Sequence, residues 1–319
     1  MEFIRGLHNI KPEHQGCVLT IGNFDGVHLG HQAVLAKLQA VAQQRQLPSC
    51  VMVFEPQPLE LFAPEQAPAR LSRLREKYHG LASFGVERLL CVNFNRRFAD
   101  LDPAYFIEQL LVQQLGVRHL IVGDDFCFGK NRTGNYSLLQ QASERFGFGL
   151  TPTASLKQHT HRVSSTRIRQ ALAKDDLQEA QAMLGRPFAL MGRVRHGRQL
   201  GRELGFPTAN VWLYRRKLPV HGVYAIEVST PYGVFQGVAN IGSRPTVSGK
   251  TEQLEAHLFD FQGDLYGNQI EVRLRHKIRD EQSFASLAAL QQQIQRDAEA
   301  ARNFFKSSAS VQVEANEQR

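Results

Sequence analysis

Three things are scarce in this chain, and each scarcity excludes something. Cysteine is the first: Cys17, Cys50, Cys91 and Cys127 are the four in 319 residues, and none forms a C-x-x-C pair. Neither a disulfide framework nor a zinc ribbon is indicated. At least three of the four fall in apolar, strand-like runs, where Cys behaves as a small hydrophobe. Long apolar runs are also missing, so no transmembrane helix is predicted. The N-terminal Met-Glu-Phe-Ile-Arg-Gly lacks the basic and apolar regions of a signal peptide. Acidic excess is the third absence: 38 Lys and Arg oppose 30 Asp and Glu, a net charge of +8. Such a balance suits anionic partners, nucleic acid or nucleotides. The basic residues are scattered and often sit near glycine loops, which favours small phosphorylated ligands over nucleic acid. A cytoplasmic protein without membrane association is expected, as a monomer or weak oligomer.

What is present suffices for two domains. The length fits two, and 42% hydrophobic residues suffice for two cores. The first half is built around Gly22–Gln32, Gly-Asn-Phe-Asp-Gly-Val-His-Leu-Gly-His-Gln. The apolar run Cys17–Ile21 before it reads as a buried strand. Val34, Leu35, Leu38, Val41 and Ala42 after it mark one face of a helix. The stretch is therefore a strand-to-helix turn, at the sheet edge where open α/β folds bind ligands. Gly22 and Gly26 permit close backbone approach. His28 and His31 share one face of the first helical turn, beside N–H groups that attract anions. A phosphate chain fits this arrangement. Surface polar residues or half a metal site also fit it, although an i, i+3 pair without Cys or carboxylate is a poor zinc pattern.

Strand and helix patterns then alternate to about residue 185. Cys50–Phe54, Glu87–Asn93 and Arg118–Val122 read as strands; helices are read at Leu71–Leu81 and from an Asp102 cap with Pro103 to Gly116. This spacing predicts a parallel sheet with right-handed crossovers. The Gly123–Gly134 stretch has five residues between Gly123 and Gly129, and Asn131 after Lys130, so it is not a Walker A loop. Ser164-Ser165-Thr166-Arg167-Ile168-Arg169 opens another helix. Its hydroxyls read as ordinary caps, while arginine so near a helix N-terminus favours a bound anion.

At Gly185-Arg186-Pro187 the character changes to short β-runs without intervening helices, which predicts a small antiparallel barrel. A final helix carries Phe284, Leu287, Leu290 and Ile294 on one face, and a polar tail from Ser307 is expected to be disordered. Gly192–Asn210 contains four glycines and four arginines, a flexible cationic loop. Thr208 and Asn210 offer the hard oxygens that magnesium prefers. Alternation puts Glu255 and His257 on one strand face; facing inward, Glu255 is placed as a general base towards an alcohol. A surface Glu on an antiparallel strand is the plainer reading of the same residue.

Together these residues resemble, in order from about 1 to 305, the bacterial bifunctional riboflavin kinase/FMN adenylyltransferases. Gly22–Gln32 is similar to their His-x-Gly-His signature, and Gly123–Gly134 and Ser164–Arg169 to their other adenylyltransferase motifs. Gly205-Phe206-Pro207-Thr208-Ala209-Asn210, Gly222-Val223-Tyr224, Asn240–Thr246 and Glu255-Ala256-His257 look like the kinase motifs. One departure stands out: Gln57 in Phe54-Glu55-Pro56-Gln57-Pro58 occupies a place where the family usually has histidine.

The resemblance implies a Rossmann-like nucleotidyltransferase domain over 1–185, a riboflavin-kinase barrel with a C-terminal helix over 186–306, and a tail over 307–319. It implies riboflavin, FMN and ATP as ligands, FAD as product and Mg2+ as cofactor. His28 and His31 would act on ATP in the first domain, with Gly22, Asn23, Phe24, Asp25, Gly30, Asp125, Arg132, Ser165, Thr166 and Arg169 binding it. In the second, Glu255 would be the base and Thr208 and Asn210 the metal ligands. Gly192, His196, Gly197, Gly201, Arg202, Gly205, Phe206, Pro207, Asn240 and Arg244 would bind ATP and flavin, the Gly192–Arg202 loop closing over the phosphates. A nucleotide-sensing or RNA-binding protein on the same scaffold, and a cytidylyl- or pantetheine-type transferase fused to an unrelated barrel, are the other readings of the same motifs.

Overall fold

A computed structural model describes residues 1–153, 157–158, 161–197, 205–246 and 249–317. The chain divides into two compact units, Met1–Ser165 and Thr166–Arg319.

The first unit is an α/β domain. Its strands are β1 (Glu2–Arg5), β2 (Cys17–Ile21), β3 (Ser49–Glu55), β4 (Arg88–Asn93), β5 (Val117–Gly123) and β6 (Gly149–Thr153). All pair in parallel, in the order β1-β4-β3-β2-β5-β6. β2 is buried at every position, as a central strand covered on both faces must be. Helix α1 (Leu29–Arg45), the short α2 (Pro58–Phe62) and α3 (Leu74–Ala82) follow β2 and β3. Leu35, Leu38 and Leu81 from α1 and α3 pack with Val18, Val51 and Leu89 on one sheet face. After β4 come α4 (Arg96–Ala99), α5 (Pro103–Tyr105), which runs into a π-helical stretch over Phe106–Gln114, and α6 (Tyr136–Phe146). Phe106, Ile107, Leu110 and Leu139 from this side cover the opposite face. Asp102 caps α5, its carboxylate accepting from the Ala104 N–H at 2.8 Å. Two strands, β1 and β6, are absent from the sequence pattern. β1 has charge at both ends, and β6 contains Gly149 and Pro152, so neither shows a clear apolar alternation.

A two-stranded pair, β7 (Lys157–Gln158) and β8 (His161–Arg162), precedes α7 (Ser165–Ala173) and α8 (Leu177–Leu184). The sequence groups these helices with the α/β half, but they cluster with the barrel. Asp175 between them accepts from Tyr224 at 2.9 Å and pairs with Lys277 at 2.8 Å.

The second unit is a closed antiparallel barrel of six strands: β9 (Ala189–Arg195), β10 (Ala209–Trp212), β11 (Gly222–Thr230), β12 (Gly233–Thr246), β13 (Gly249–Leu258) and β14 (Gln269–Arg279), in the order β10-β13-β12-β11-β14-β9 with β9 pairing back to β10. Val194, Val211, Leu254, Ile226 and Val272 are buried. β10 begins inside the stretch read from sequence as a cationic loop, at Ala209 and Asn210. Four residues long and following Pro207, it is too short to show a period.

The last helix, α9 (Leu287–Glu317), differs from its sequence pattern. It includes positions read as a polar tail from Ser307, where Ser, Ala, Gln and Glu provide enough helix propensity to continue. Its docked face is also later than predicted: Leu287 is exposed, while Ala298, Ala301 and Phe305 pack on Val223, Ala225 and Val238 of the barrel. The small alanines allow close approach, and a buried ion pair fixes the register. Asp297 takes Arg279 Nε at 2.9 Å and Nη2 at 2.7 Å, and Gln293 Nε2 at 2.9 Å.

Asp297→Ala leaves Arg279 without its buried counter-charge. It is expected to destabilise the barrel unit by about 3–5 kcal/mol, read as a lower denaturant midpoint in chemical unfolding.

Candidate active sites

The first site follows from strand order. The chain moves from β2 outward through β3 and β4, then returns to place β5 on the other side of β2. Such a reversal opens a crevice at the carboxyl ends of the two strands. The turn after β2 is Gly22–His28, and the turn after β5 is Gly123–Gly134; the motifs read from sequence are the two lips of this crevice.

The first lip is strained and tightly held. Phe24 and Val27 adopt φ of 47° and 42°, a left-handed conformation costly for a β-branched residue. Asp25, read from sequence as an ATP contact, is buried and occupied by backbone. Its carboxylate accepts from Leu71 N at 3.1 Å, Ser72 N at 2.8 Å and Ser72 Oγ at 3.2 Å. Gly26 N donates to Ser72 Oγ at 2.9 Å, and Ser165 Oγ donates to the Asp25 carbonyl at 2.9 Å. Asn23 is exposed beside these residues, and Gly22 is half-buried against the Phe24 ring.

His28 is the N-cap of α1, its Nδ1 accepting from the His31 N–H at 3.3 Å. A neutral His28 therefore carries its ring proton on Nε2. The His28 and His31 rings stack, centroids 3.7 Å apart and planes 18° apart, and Phe24 leans on His31 at 4.9 Å. Burial, then the neighbouring His28 and Lys77, hold the His31 pKa well below the usual histidine value. Its Nδ1 is buried with no hydrogen-bond partner among the described residues. Gly30 lies against the His28 ring: a Cβ there would come within 3.1 Å.

On the second lip, Asp125 is exposed and takes Arg162 Nη2 at 3.1 Å. Phe128 and Gly134 exchange two backbone hydrogen bonds of 3.0 Å, and Asn131 and Arg132 turn left-handed between them. Arg132 is exposed. Thr166 and Arg169 stand on α7, in the other unit.

Several features of this region were not read from the sequence. Arg70 forks onto Glu55, at 2.6 and 3.0 Å, and onto Glu60. Phe54, Phe62, Phe94 and Phe98 form an aromatic patch with ring centroids 5.5–6.0 Å apart, Phe62 being 57% exposed. Gln57 caps α2, and its Nε2 is buried without a hydrogen-bond partner among the described residues. Lys77 is fully buried; with Leu74, Tyr78 and Leu81 it occupies the inward face of α3, so helical spacing alone marks it as a lysine in a core position.

The second site is a row of polar side chains across the barrel. Register places Arg195 opposite Asn210, Asn210 opposite Glu255, and Glu255 opposite Asn240, on β9, β10, β13 and β12. Leu254, Ala256 and Leu258 are the buried residues of β13, so Glu255 and His257 occupy the opposite face. This corrects the inward placement: alternation commits the apolar residues to the core. Gln253 bridges the row, its Nε2 donating to Asn210 Oδ1 at 2.7 Å and Glu255 Oε1 at 3.2 Å; its i, i+2 spacing from Glu255 was a usable signal. Gly197 packs against the Asn210 side chain: a Cβ there would sit 2.3 Å from the amide and displace it.

Thr208 and Asn210 line a cavity of about 470 Å³ with Pro207, Asp264, Tyr266 and Leu258. His196 stacks on Tyr266 at 3.8 Å. Gly205 has φ 85°, Phe206 meets the His257 ring edge-on at 5.5 Å, and Pro207 O contacts His257 Nδ1 at 2.9 Å. Gly192 belongs to β9, not to a mobile loop; a Cβ would meet Trp212 O at 2.5 Å. Arg244 lies in β12, opposite Thr251. Gly201 and Arg202, and with them residues 198–200 of the expected phosphate-covering loop, lie outside the described residues.

Comparison with known proteins matches both halves. The family model for FAD synthetase matches residues 10–167, and that for riboflavin kinase matches 184–305. The bifunctional riboflavin kinase/FMN adenylyltransferase of Escherichia coli (strain K12) is 57% identical over 307 residues, covering 96% of this chain and 98% of that protein. The protein of the same description from Haemophilus influenzae is 51% identical over 308 residues, covering 96% and 100%. A crystal structure of a macrolide-efflux protein from Streptococcus pneumoniae superposes with a TM-score of 0.79 at 29% identity, covering 95% of this chain and 99% of that one.

Asp25→Ala strips the Leu71 and Ser72 N–H groups of their acceptor in a buried setting. About 1–3 kcal/mol of stability is expected to be lost per orphaned donor, and hydrogen exchange should quicken at those two amides.

Proposed function

The chain belongs to the bifunctional riboflavin kinase/FMN adenylyltransferases, and from that premise we propose which of its residues carry the two reactions. The enzyme phosphorylates riboflavin to FMN with ATP, then transfers an adenylyl group from ATP to FMN, giving FAD and pyrophosphate.

Adenylyl transfer is assigned to the crevice between the β2 and β5 turns. The observation that carries this is the stacked His28–His31 pair at the N-terminus of α1, at the point where strand order reverses. An FMN phosphate oxygen attacks the α-phosphorus of ATP; that bond forms as the bond to pyrophosphate breaks. The nucleophile is already an anion, so the work is positioning and charge stabilisation. His28, proton on Nε2, donates to the phosphates, and neutral His31 adds a second ring nitrogen. The α1 N-terminus favours the negative charge that builds on the leaving group. Gly22, Asn23 and Gly30 let the nucleotide approach the backbone, and Asp25 holds the turn in shape. Ser165 Oγ holds the Asp25 carbonyl of that turn, and Asp125 and Arg132 are assigned to ATP; Thr166 and Arg169 are carried as ATP contacts by the family resemblance alone. The partly exposed Phe62–Phe94 patch is assigned to the flavin ring, which stacks on aromatic faces.

Phosphoryl transfer is assigned to the barrel row and the cavity beside it. The flavin 5′-oxygen bonds to the γ-phosphorus while the bridge to the β-phosphate breaks, and Glu255 accepts the hydroxyl proton. Gln253 and Asn210 orient Glu255. His196, Gly197, Gly205, Phe206, Pro207, Asn240 and Arg244 are assigned to ATP and flavin.

Magnesium fits this wall. Thr208 and Asn210 present neutral oxygens, Asp264 lines the same cavity, and among the described residues no group of three or more His, Cys, Asp or Glu forms a metal cage. That donor set suits an ion that keeps several waters and arrives with nucleotide phosphates. Thr208 and Asn210 would hold it, and it would neutralise phosphate charge.

The two lesions should separate. His28→Ala is expected to lower FAD formation from FMN by about a hundredfold or more while sparing FMN formation from riboflavin, and Glu255→Ala to do the reverse. Chromatography of flavin products from riboflavin, FMN, ATP and magnesium reads both. Loss of both activities in either folded variant defeats the two-site assignment.

A further inference from the structure

Lys77 is 0% exposed, yet its Nζ finds no hydrogen-bond partner among the described residues. A buried ammonium is costly and is retained only where something compensates it. Burial pushes the Lys77 pKa down, and Asp25 and Glu55 offset that cost only as charges acting at a distance. Asp25 is engaged by Leu71 N, Ser72 N and Ser72 Oγ, and Glu55 by the two terminal nitrogens of Arg70.

Its place in the fold gives the charge a purpose. α3 is packed against the strained turn: a Cβ on Gly80 would meet Val27 at 3.2 Å, and Leu81 shares a core cluster with Phe24 and Val27. Leu71 and Ser72, just before α3, hold Asp25 of the same turn. The Lys77 charge acts on His31, whose own Nδ1 is buried and unpartnered. Two buried nitrogens, one on α3 and one in the first turn of α1, are thus left without a hydrogen-bond partner among the described residues.

We propose that Lys77 is a positioning residue for adenylyl transfer: its buried ammonium, acting through His31 and the Phe24–Val27 turn, supplies the positive potential that draws and holds the ATP phosphates. Its burial is compensated when the polyphosphate arrives, so the cost carried by the free protein is recovered on binding. The inference rests on the assignment of Gly22–Gln32 to ATP.

Lys77→Met keeps the length and the apolar stem and removes the charge. The expected result is a rise of about tenfold or more in KM for ATP in FMN adenylylation, with a smaller change in kcat. The thermal midpoint should be no lower than that of the parent, since an uncompensated buried charge is gone. Riboflavin phosphorylation in the same preparation should be unchanged. Lys77→Arg, which retains charge, should recover most of the ATP affinity. An unchanged ATP KM in Lys77→Met overturns the proposal. So does a matched loss in Lys77→Met and Lys77→Arg together with a lowered midpoint, which would make the role one of packing. His28→Ala is the control: if it still adenylylates FMN, the assignment of the site has failed; if it is inactive while Lys77→Met is normal, only the role of Lys77 has.

Discussion

The first unit depends on a buried carboxylate. Asp25 takes two backbone N–H groups from a segment 46 and 47 residues away and so fixes a turn that has no good conformation of its own. Phe24 and Val27 are left-handed there, a state the unfolded chain avoids. With the turn fixed, α1 starts at a defined point, His28 becomes its cap, and His31 stacks one helical turn along. The strain is held by core packing and by hydrogen bonds to Leu71 and Ser72. This is how a rigid constellation is kept at the edge of a sheet.

The barrel reaches a comparable result by other means. Its polar row is set by strand register, not by a strained turn. Four adjacent strands each contribute one side chain, and Gln253 joins two of them. Because β13 buries Leu254, Ala256 and Leu258, Glu255 stands half-buried on the opposite face of the strand. The proposed assignment gives the two nucleotide chemistries two different devices: a helix terminus with imidazoles, and a strand ladder with a carboxylate and neutral oxygens.

Much of this was legible in the residues. Period and punctuation marked β2 to β5, α1, the Asp102 cap and most barrel strands, because those elements bury a continuous apolar face. The motif turns were legible because glycine and histidine are informative in few contexts. What escaped was short or long-range. β1, β6 and β10 are four or five residues long and, unlike the five-residue β2, have no continuous apolar run. Asp25 reads like a ligand contact because two of its donors are the backbone N–H groups of Leu71 and Ser72, 46 and 47 residues away, which sequence does not show. The docking of α9 through Ala298 and Ala301 escaped because small residues give a weak hydrophobic signal even where they set the closest packing.

Closure of the barrel has a further consequence. With β9 paired to β10, the β-sheet of the second unit has no free edge. Unpaired strand edges are where sheets recruit foreign chains, so this half is protected against edge-to-edge aggregation by topology alone. The parallel sheet has two edges, β1 and β6, and keeps them short, at four and five residues, with Pro152 interrupting β6. The risk of misassembly during synthesis or heating is therefore unequal between the halves. It is concentrated in the adenylyl-transferring unit, whose parallel strands must also wait for partners distant in sequence before they can pair.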